Sequence, residues 1–263
     1  MPAAGLPPGG LDDAIELAHR LADAAGAVIR PYFRQRVAII DKADASPVTI
    51  ADQESETAMR QLIAQRFPEH GIIGEEHGAE RADAEFVWAL DPIDGTKSFI
   101  SGMPLFGTLI ALLHRGQPVL GIIDQPISHE RWVGAAGRGS TLNGAPIRTR
   151  ACAGLAAATV FTTSPDMFAG ADAERFGRVR SAAKLVRYGG DCYAYGLCAL
   201  GFVDAVIEAQ LKLYDFCAVI PVIAGAGGLV TDWEGRAPGL GSDGRILACG
   251  DPVLHRELLG LFA

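Results

Sequence analysis

The chain has 263 residues, 49% of them hydrophobic, and 23 Lys and Arg against 31 Asp and Glu give a formal net charge of -8. That composition supplies a core for one large unit or two tightly packed ones, and the acidic balance excludes nucleic acid as a partner, because neutralising phosphates needs a basic face. Five cysteines with no C-x-x-C pair make no disulfide framework, so a reducing compartment, the cytoplasm, is expected. The opening MPAAGLPPGG lacks the charged and apolar regions of a signal peptide, and no run of about 18 apolar residues offers a membrane span, so a soluble protein with no membrane partner is expected.

In chain order, Ile15, Leu17, Ala18, Leu21, Ala25 and Val28 recur at helical spacing behind Asp12 and Asp13 and predict an amphipathic helix over 11–34. After an extended piece at 37–40, the stretch KADASPVTIAD leads into a second helix over 52–67, with Asp52 near its start and Pro68 stopping it. Strands are predicted at 71–74, 86–91, 106–114, 118–124 and 131–135, and Asn143-Gly144 is a hairpin turn signal. Further on, strands at 158–163, 184–187, 202–208, 228–232 and 245–249 alternate with helices at 171–182, 192–200, 216–226 and 252–262, which favours stacked helix and sheet layers. No Pro/Ser/Gly-rich spacer divides the α+β half, 1–150, from the α/β half, 151–263, so the two are expected to pack as one catalytic unit.

Several acids stand where apolar runs end. Glu75 and Glu76 follow Gly71-Ile-Ile-Gly74, Asp91 and Asp94 follow the run 86–90, and Asp215 follows Leu211-Lys-Leu-Tyr214. Strand ends converge when strands are neighbours, and converging carboxylates repel unless a proton or a cation sits between them. Hard oxygen donors of this kind suit Mg²⁺, whereas none of the six histidines forms a zinc pattern such as H-E-x-x-H. Pro92 fixes the chain so that both aspartates can face one site, Gly95 removes a side chain where a ligand must approach, and Gly95-Thr96-Lys97-Ser98 reads as a helix start able to hold phosphate. Mg²⁺ between carboxylates and a phosphate would also lower the pKa of an attacking water.

Plainer readings stand beside these. Asp91 and Asp94 can serve as turn caps, Glu75-Glu76 as a solvated turn, and Asp52 and Asp215 as helix caps worth about 1 kcal/mol each. Arg187 and Asp191 can pair as ions four residues apart, and Cys192, Cys198 and Cys217 read as small packing residues. The segment 239–244 fits G-x-G-x-x-G but precedes a strand instead of joining a strand to a helix, and reads as a loop.

Four stretches, KADASPVTIAD (42–52), GEE (74–76), DPIDGT (91–96) and DFCAVIPVIAGAGG (215–228), together resemble the inositol monophosphatase superfamily of Mg²⁺-dependent, lithium-sensitive phosphatases over nearly the whole chain. The resemblance implies an α/β fold, a layered αβαβα sandwich of the inositol monophosphatase and fructose-1,6-bisphosphatase type, and a homodimer. It makes Glu75, Asp91 and the carbonyl of Ile93 ligands of one Mg²⁺, and Asp91, Asp94 and Asp215 ligands of a second. Thr96, in contact with Asp52, would orient and deprotonate the water beside Glu75, while the backbone of Gly95 and Thr96 holds the phosphate for in-line hydrolysis without a covalent intermediate.

Finer features, DGTKSF (94–99), RYGGDCYAY (187–195) and LYD (213–215), look like the histidinol-phosphate phosphatase branch. They imply L-histidinol phosphate as the small-molecule phosphate monoester, with inositol 1-phosphate or a sugar or nucleotide phosphate as the alternative. The substrate would then meet Asp94, Gly95, Thr96, Lys97, Arg187, Asp191, Glu208 and Asp215. Arg187 would pair with phosphate, and Asp191 and Glu208 would face the cationic amine.

Overall fold

Two long helices open the chain and lie side by side, α1 (Pro8–Tyr32) and α2 (Ile50–Arg66), with the short hairpin β1 (Ile39–Asp41) and β2 (Pro47–Thr49) between them. The computed structural model describes residues 8–36, 39–41 and 47–263, without the side chains of 8–9, 39–41 and 47–48. The first residues of the extended piece, 37–38, and 42–46 of KADASPVTIAD lie outside the described residues. Thr49 caps α2: its hydroxyl accepts from Ala51 N–H, and Asp52, three residues on, accepts from the Thr49 N–H at 2.9 Å.

A first sheet follows: β3 (Gly71–Gly74), β4 (Gly78–Glu80), β5 (Phe86–Asp94), β6 (Gly107–His114), β7 (Gln117–Gln125), β8 (Glu130–Ala135), β9 (Thr141–Leu142) and β10 (Ala145–Pro146). A five-residue helix, α3 (Thr96–Ile100), separates β5 from β6. The sheet order is β10-β9-β8-β7-β6-β5-β3-β4, antiparallel except for the parallel pair of β3 with β5. The second sheet, in order β12-β11-β13-β15-β14, contains β11 (Thr159–Thr162), β12 (Leu185–Tyr188), β13 (Ala205–Glu208), β14 (Leu229–Thr231) and β15 (Ile246–Cys249). Its helices are α4 (Ala171–Ala182), α5 (Asp191–Ala199), α6 (Leu213–Phe216), α7 (Val219–Gly225) and α8 (Pro252–Phe262).

Strand alternation sorts these elements into layers. Trp88, Leu90, Ile110, Leu112, Leu120 and Ile122 point to α1 and α2, while Val87, Ala89, Leu109, Ala111 and Ile123 point the other way, into a core shared with α5, α6 and α7. On the second sheet Val206, Ile246 and Ala248 enter that shared core, and Ala205, Ile207, Leu247 and Cys249 pack with Val179, Leu254 and Leu258 of α4 and α8. The result is the expected αβαβα sandwich. Its middle core draws on residues from both sides of position 150, so apolar burial runs unbroken from one sheet to the other.

The helix expected over 216–226 is two shorter ones, α6 and α7, divided at 217–218. The division lets α7 lie directly on the first sheet, where Gly121 and Gly134 supply the room: a Cβ on Gly134 would come within 2.3 Å of the Pro221 carbonyl oxygen. Gly134→Ala is therefore expected to cost about 1–3 kcal/mol through overpacking. Gly177, in α4 with open space around its missing Cβ, is the contrast, and Gly177→Ala is expected to stabilise by about 1 kcal/mol; urea unfolding of both variants measures the two shifts.

Candidate active site

The site begins with an irregularity in β5. Asp91 pairs with Leu109 and Asp94 with Gly107, so three steps on β5 match two on β6 and one extra residue bulges at Pro92-Ile93. Residues three apart on a regular strand point to opposite faces; the bulge restores the face, and both carboxylates project into the middle layer. Asp91 is 2% exposed and accepts from Ile93 N–H at 3.0 Å, while the Thr108 hydroxyl secures the bulge by donating to the Pro92 carbonyl at 2.8 Å.

Asp215 joins them from α6, where it accepts from Lys212 N–H at 2.7 Å. Carboxylate oxygens of Asp91, Asp94 and Asp215 lie within 4.8 Å of one another. Burial first, then the charges of Glu75, Asp94 and Asp215, push the Asp91 carboxyl well above its ordinary value; burial and Asp191, Asp215 and Glu208 do the same to Asp94. Asp215 is pushed up to about 7, mainly by burial. Three close carboxylates with oxygen donors only form a set that fits a hard divalent cation, and such a cation removes the repulsion that protons otherwise relieve.

Asp94 and Asp215 of the cluster line a cavity of about 430 Å³ together with Glu75, Gly95, Thr96, Lys97, Asp191, Tyr195, Glu208 and residues of the 163–167 and 210–211 loops. Gly95 takes φ +83 at the start of α3, and a Cβ there would sit 2.7 Å from the Asp191 carboxyl carbon, so only glycine fits. Asp191 is itself left-handed, φ +42, at the start of α5; its carboxylate accepts from the Ser98 hydroxyl at 2.5 Å, and the next N–H, of Cys192, donates to Asp94 at 2.6 Å. Glu208 ends β13 on the face of Val206, 4% exposed, and accepts from Thr163 N–H at 2.9 Å and from the Tyr195 hydroxyl at 2.8 Å. Burial raises the carboxyls of both Asp191 and Glu208.

The sequence profile of the inositol monophosphatase family matches residues 11–263. The chain belongs to that family. It is 51% identical over 258 residues to the bifunctional phosphatase IMPL2, chloroplastic, of Arabidopsis thaliana, covering 95% of this chain and 75% of that protein. To the histidinol-phosphatase of Chlorobaculum parvum it is 36% identical over 247 residues, 93% of this chain and 95% of the relative. An inositol monophosphatase from Zymomonas mobilis superposes with a TM-score of 0.89 at 48% identity, covering 95% of this chain and 98% of that one. The molecule is thus a phosphatase of the inositol monophosphatase family.

Within this family member, two expectations for the site residues differ from the structure. The Thr96 hydroxyl donates to the Ile93 carbonyl at 3.2 Å, and Asp52 turns one oxygen to Thr49 N–H and hydroxyl while its buried Oδ1 has no hydrogen-bond partner among the described residues, so the expected contact between Thr96 and Asp52 is not made as a direct hydrogen bond. The capping box is the physical reason: it commits Asp52 to its own helix start. Arg187 stands exposed on β12, the edge of the second sheet, and is not part of the cavity wall; Asp191, its candidate ion-pair partner, bonds Ser98 instead. The turn at Gly189-Gly190, with φ +78 at Gly189, separates the two.

Sequence reasoning missed Ser98, Tyr195, Thr163 and Glu56. Glu56 is fully buried in α2 and its oxygens accept from Glu76 N–H at 2.7 Å and His77 N–H at 3.2 Å. The signal was available: Asp52, Ser55 and Glu56 share the buried face of α2 with Met59 and Ile63, and polar residues in an apolar stripe need partners.

Burial holds Asp52 up at about 6 and Asp215 at about 7. Both therefore bind protons more tightly folded than unfolded, and without metal the stability they contribute below about pH 4 is lost as the pH rises through those values. Thermal midpoints in EDTA are expected to fall between about pH 5 and pH 8, with a flatter decline for Asp215→Asn; a midpoint that climbs over this range contradicts the assignment.

Proposed function

We propose that the protein is a Mg²⁺-dependent phosphomonoesterase whose substrate is L-histidinol phosphate. The observation that carries the substrate is the cavity wall outside the cluster, where Asp191 and Glu208 add two more carboxylates and Lys97 is the one cation among the described lining residues. A substrate amine compensates buried carboxylates, whereas a ring of hydroxyls leaves their charge unmatched. The relatives named histidinol-phosphatase support the same reading.

On this proposal Glu75, Asp91, Asp94, Asp215 and the Ile93 carbonyl hold Mg²⁺. Bound there, the metal supplies positive charge for the phosphate oxygens and a water of lowered pKa. The chain's own residues then orient and accept protons. The backbone of Gly95 and Thr96 receives the phosphate, and the Thr96 hydroxyl, turned from the Ile93 carbonyl toward Asp52, orients the attacking water, takes its proton and passes its own proton to Asp52. Asp52 suits that task because none of the described residues bonds its Oδ1, which leaves that oxygen able to take a proton. Lys97 screens Asp191, and Glu208, fixed by Tyr195 and Thr163, faces the amine. Arg187 is left out of the set because it is exposed on the edge strand.

A second reading, an inositol phosphate as substrate, is favoured by the 48% identity to the Zymomonas mobilis inositol monophosphatase. Phosphate release from histidinol phosphate, inositol 1-phosphate and fructose 1,6-bisphosphate separates the two: turnover of inositol phosphate equal to or above that of histidinol phosphate removes the first. Glu208→Gln is expected to lower kcat/KM for histidinol phosphate by about tenfold more than for p-nitrophenyl phosphate, the loss of about 1.4 kcal/mol from one charged contact. Asp52→Asn is expected to cut kcat by about 10²–10⁴ on both esters. Mg²⁺ at 100 times its dissociation constant is expected to stabilise by about 2.7 kcal/mol. The proposal extends to a homodimer, checked by light scattering, and to a cytoplasmic location, which accords with five unpaired thiols and is checked by fractionation.

A further inference from the structure

We propose that Glu56, together with Arg60, is a positioning residue that sets Glu75 for metal binding; the inference rests on the reading of Glu75 as a Mg²⁺ ligand. Glu56 has no contact with the cavity. Its side chain is fully buried, yet its two oxygens are spent on the chain just beyond Glu75: Oε2 accepts from Glu76 N–H at 2.7 Å, and Oε1 accepts from His77 N–H at 3.2 Å and from Arg60 Nε at 2.7 Å. Arg60 continues the tie by donating to the Gly78 carbonyl. Residues 76–78 therefore hang from α2 through one carboxylate and one guanidinium.

The strand on the other side of Glu75 is shaped to admit this carboxylate. A Cβ on Gly74 would fall 2.0 Å from Glu56 Oε1, so the glycine of GEE makes room for Glu56 to reach under the end of β3. Glu75 N–H in turn donates to the Leu90 carbonyl of β5 at 3.2 Å, one residue before Asp91. Glu75 is thereby held between β5, which carries Asp91 and Asp94, and α2, which carries Asp52 one turn before Glu56 on the same face. A buried charge with three donors is a rigid anchor, and ligands fixed by such outer partners bind metal more tightly than ligands that must be ordered on binding.

The test uses the whole chain and reads Mg²⁺ binding by calorimetry beside Mg²⁺-dependent phosphate release. Glu56→Gln keeps the shape but sets an amide N–H₂ against backbone N–H donors. It is expected to weaken Mg²⁺ binding by about 10–100-fold while kcat recovers most of its value at saturating Mg²⁺; Glu75→Gln, which removes the ligand itself, is expected to show no such recovery. Should Glu56→Gln fail to fold, Arg60→Gln, at a side chain 15% exposed, reads the same tie with a smaller loss in the same direction. A folded Glu56→Gln or Arg60→Gln that is less stable in EDTA yet binds Mg²⁺ as tightly as the wild type overturns the positioning role alone. A wild-type chain that takes up no Mg²⁺ overturns the metal reading and this inference with it.

Discussion

Repulsion among carboxylates gathered at the end of β5 is the constraint on which the rest of the structure depends. Asp91, Asp94 and Asp215 come within 4.8 Å of one another, and burial first, then the charge of surrounding carboxylates including Glu75 and Glu208, favours their neutral forms. The chain holds them there by a repeated device: each acid accepts a backbone N–H, Asp91 from Ile93, Asp94 from Cys192, Asp215 from Lys212, and likewise Asp52 from Thr49 and Glu208 from Thr163. A main-chain donor is as rigid as the element that carries it, and one such bond leaves a carboxylate with lone pairs for a ligand. Orientation is thus set before any cation arrives.

The layered fold supplies those elements from both sheets. β5 and α3 approach from the first sheet, β13 from the second, and α5 and α6 from the layer between. Close backbone approach makes the meeting possible: Gly95 admits Asp191, Gly74 admits Glu56, and Gly121 and Gly134 admit the 218–222 segment. Burial of large apolar side chains such as Trp132 and Tyr195 in the shared core keeps the two sheets in register with each other.

Much of this was legible in the sequence because it is local. Pro92 between Asp91 and Asp94 marked the place where both acids can face one site, Asp52 marked the start of α2, although Thr49 is the cap and the helix begins at Ile50, and alternating strands and helices marked stacked layers. The division of 216–226 into two helices was hidden, since its uninterrupted apolar run fits one helix as well as two, and packing on the glycines of β7 and β8 made the choice. The resemblance offered Arg187 as a phosphate partner and its spacing from Asp191 offered an ion pair, but the turn at Gly189-Gly190 separates the two residues and Arg187 stands exposed on the edge strand.

By itself, then, the sequence determined stacked helix and sheet layers through strand alternation and helix spacing, and the family, with the αβαβα order and the acids that the resemblance implies, through the order of short motifs; all of these are properties of neighbouring residues. Tertiary structure alone decided how those acids are held: Asp94 by α5, Asp191 by Ser98, and the turn after Glu75 by Glu56. Each of those bonds joins positions between 20 and 98 residues apart, and no local preference specifies such a pairing. It arises when the layers close and every buried polar group must find a partner within reach.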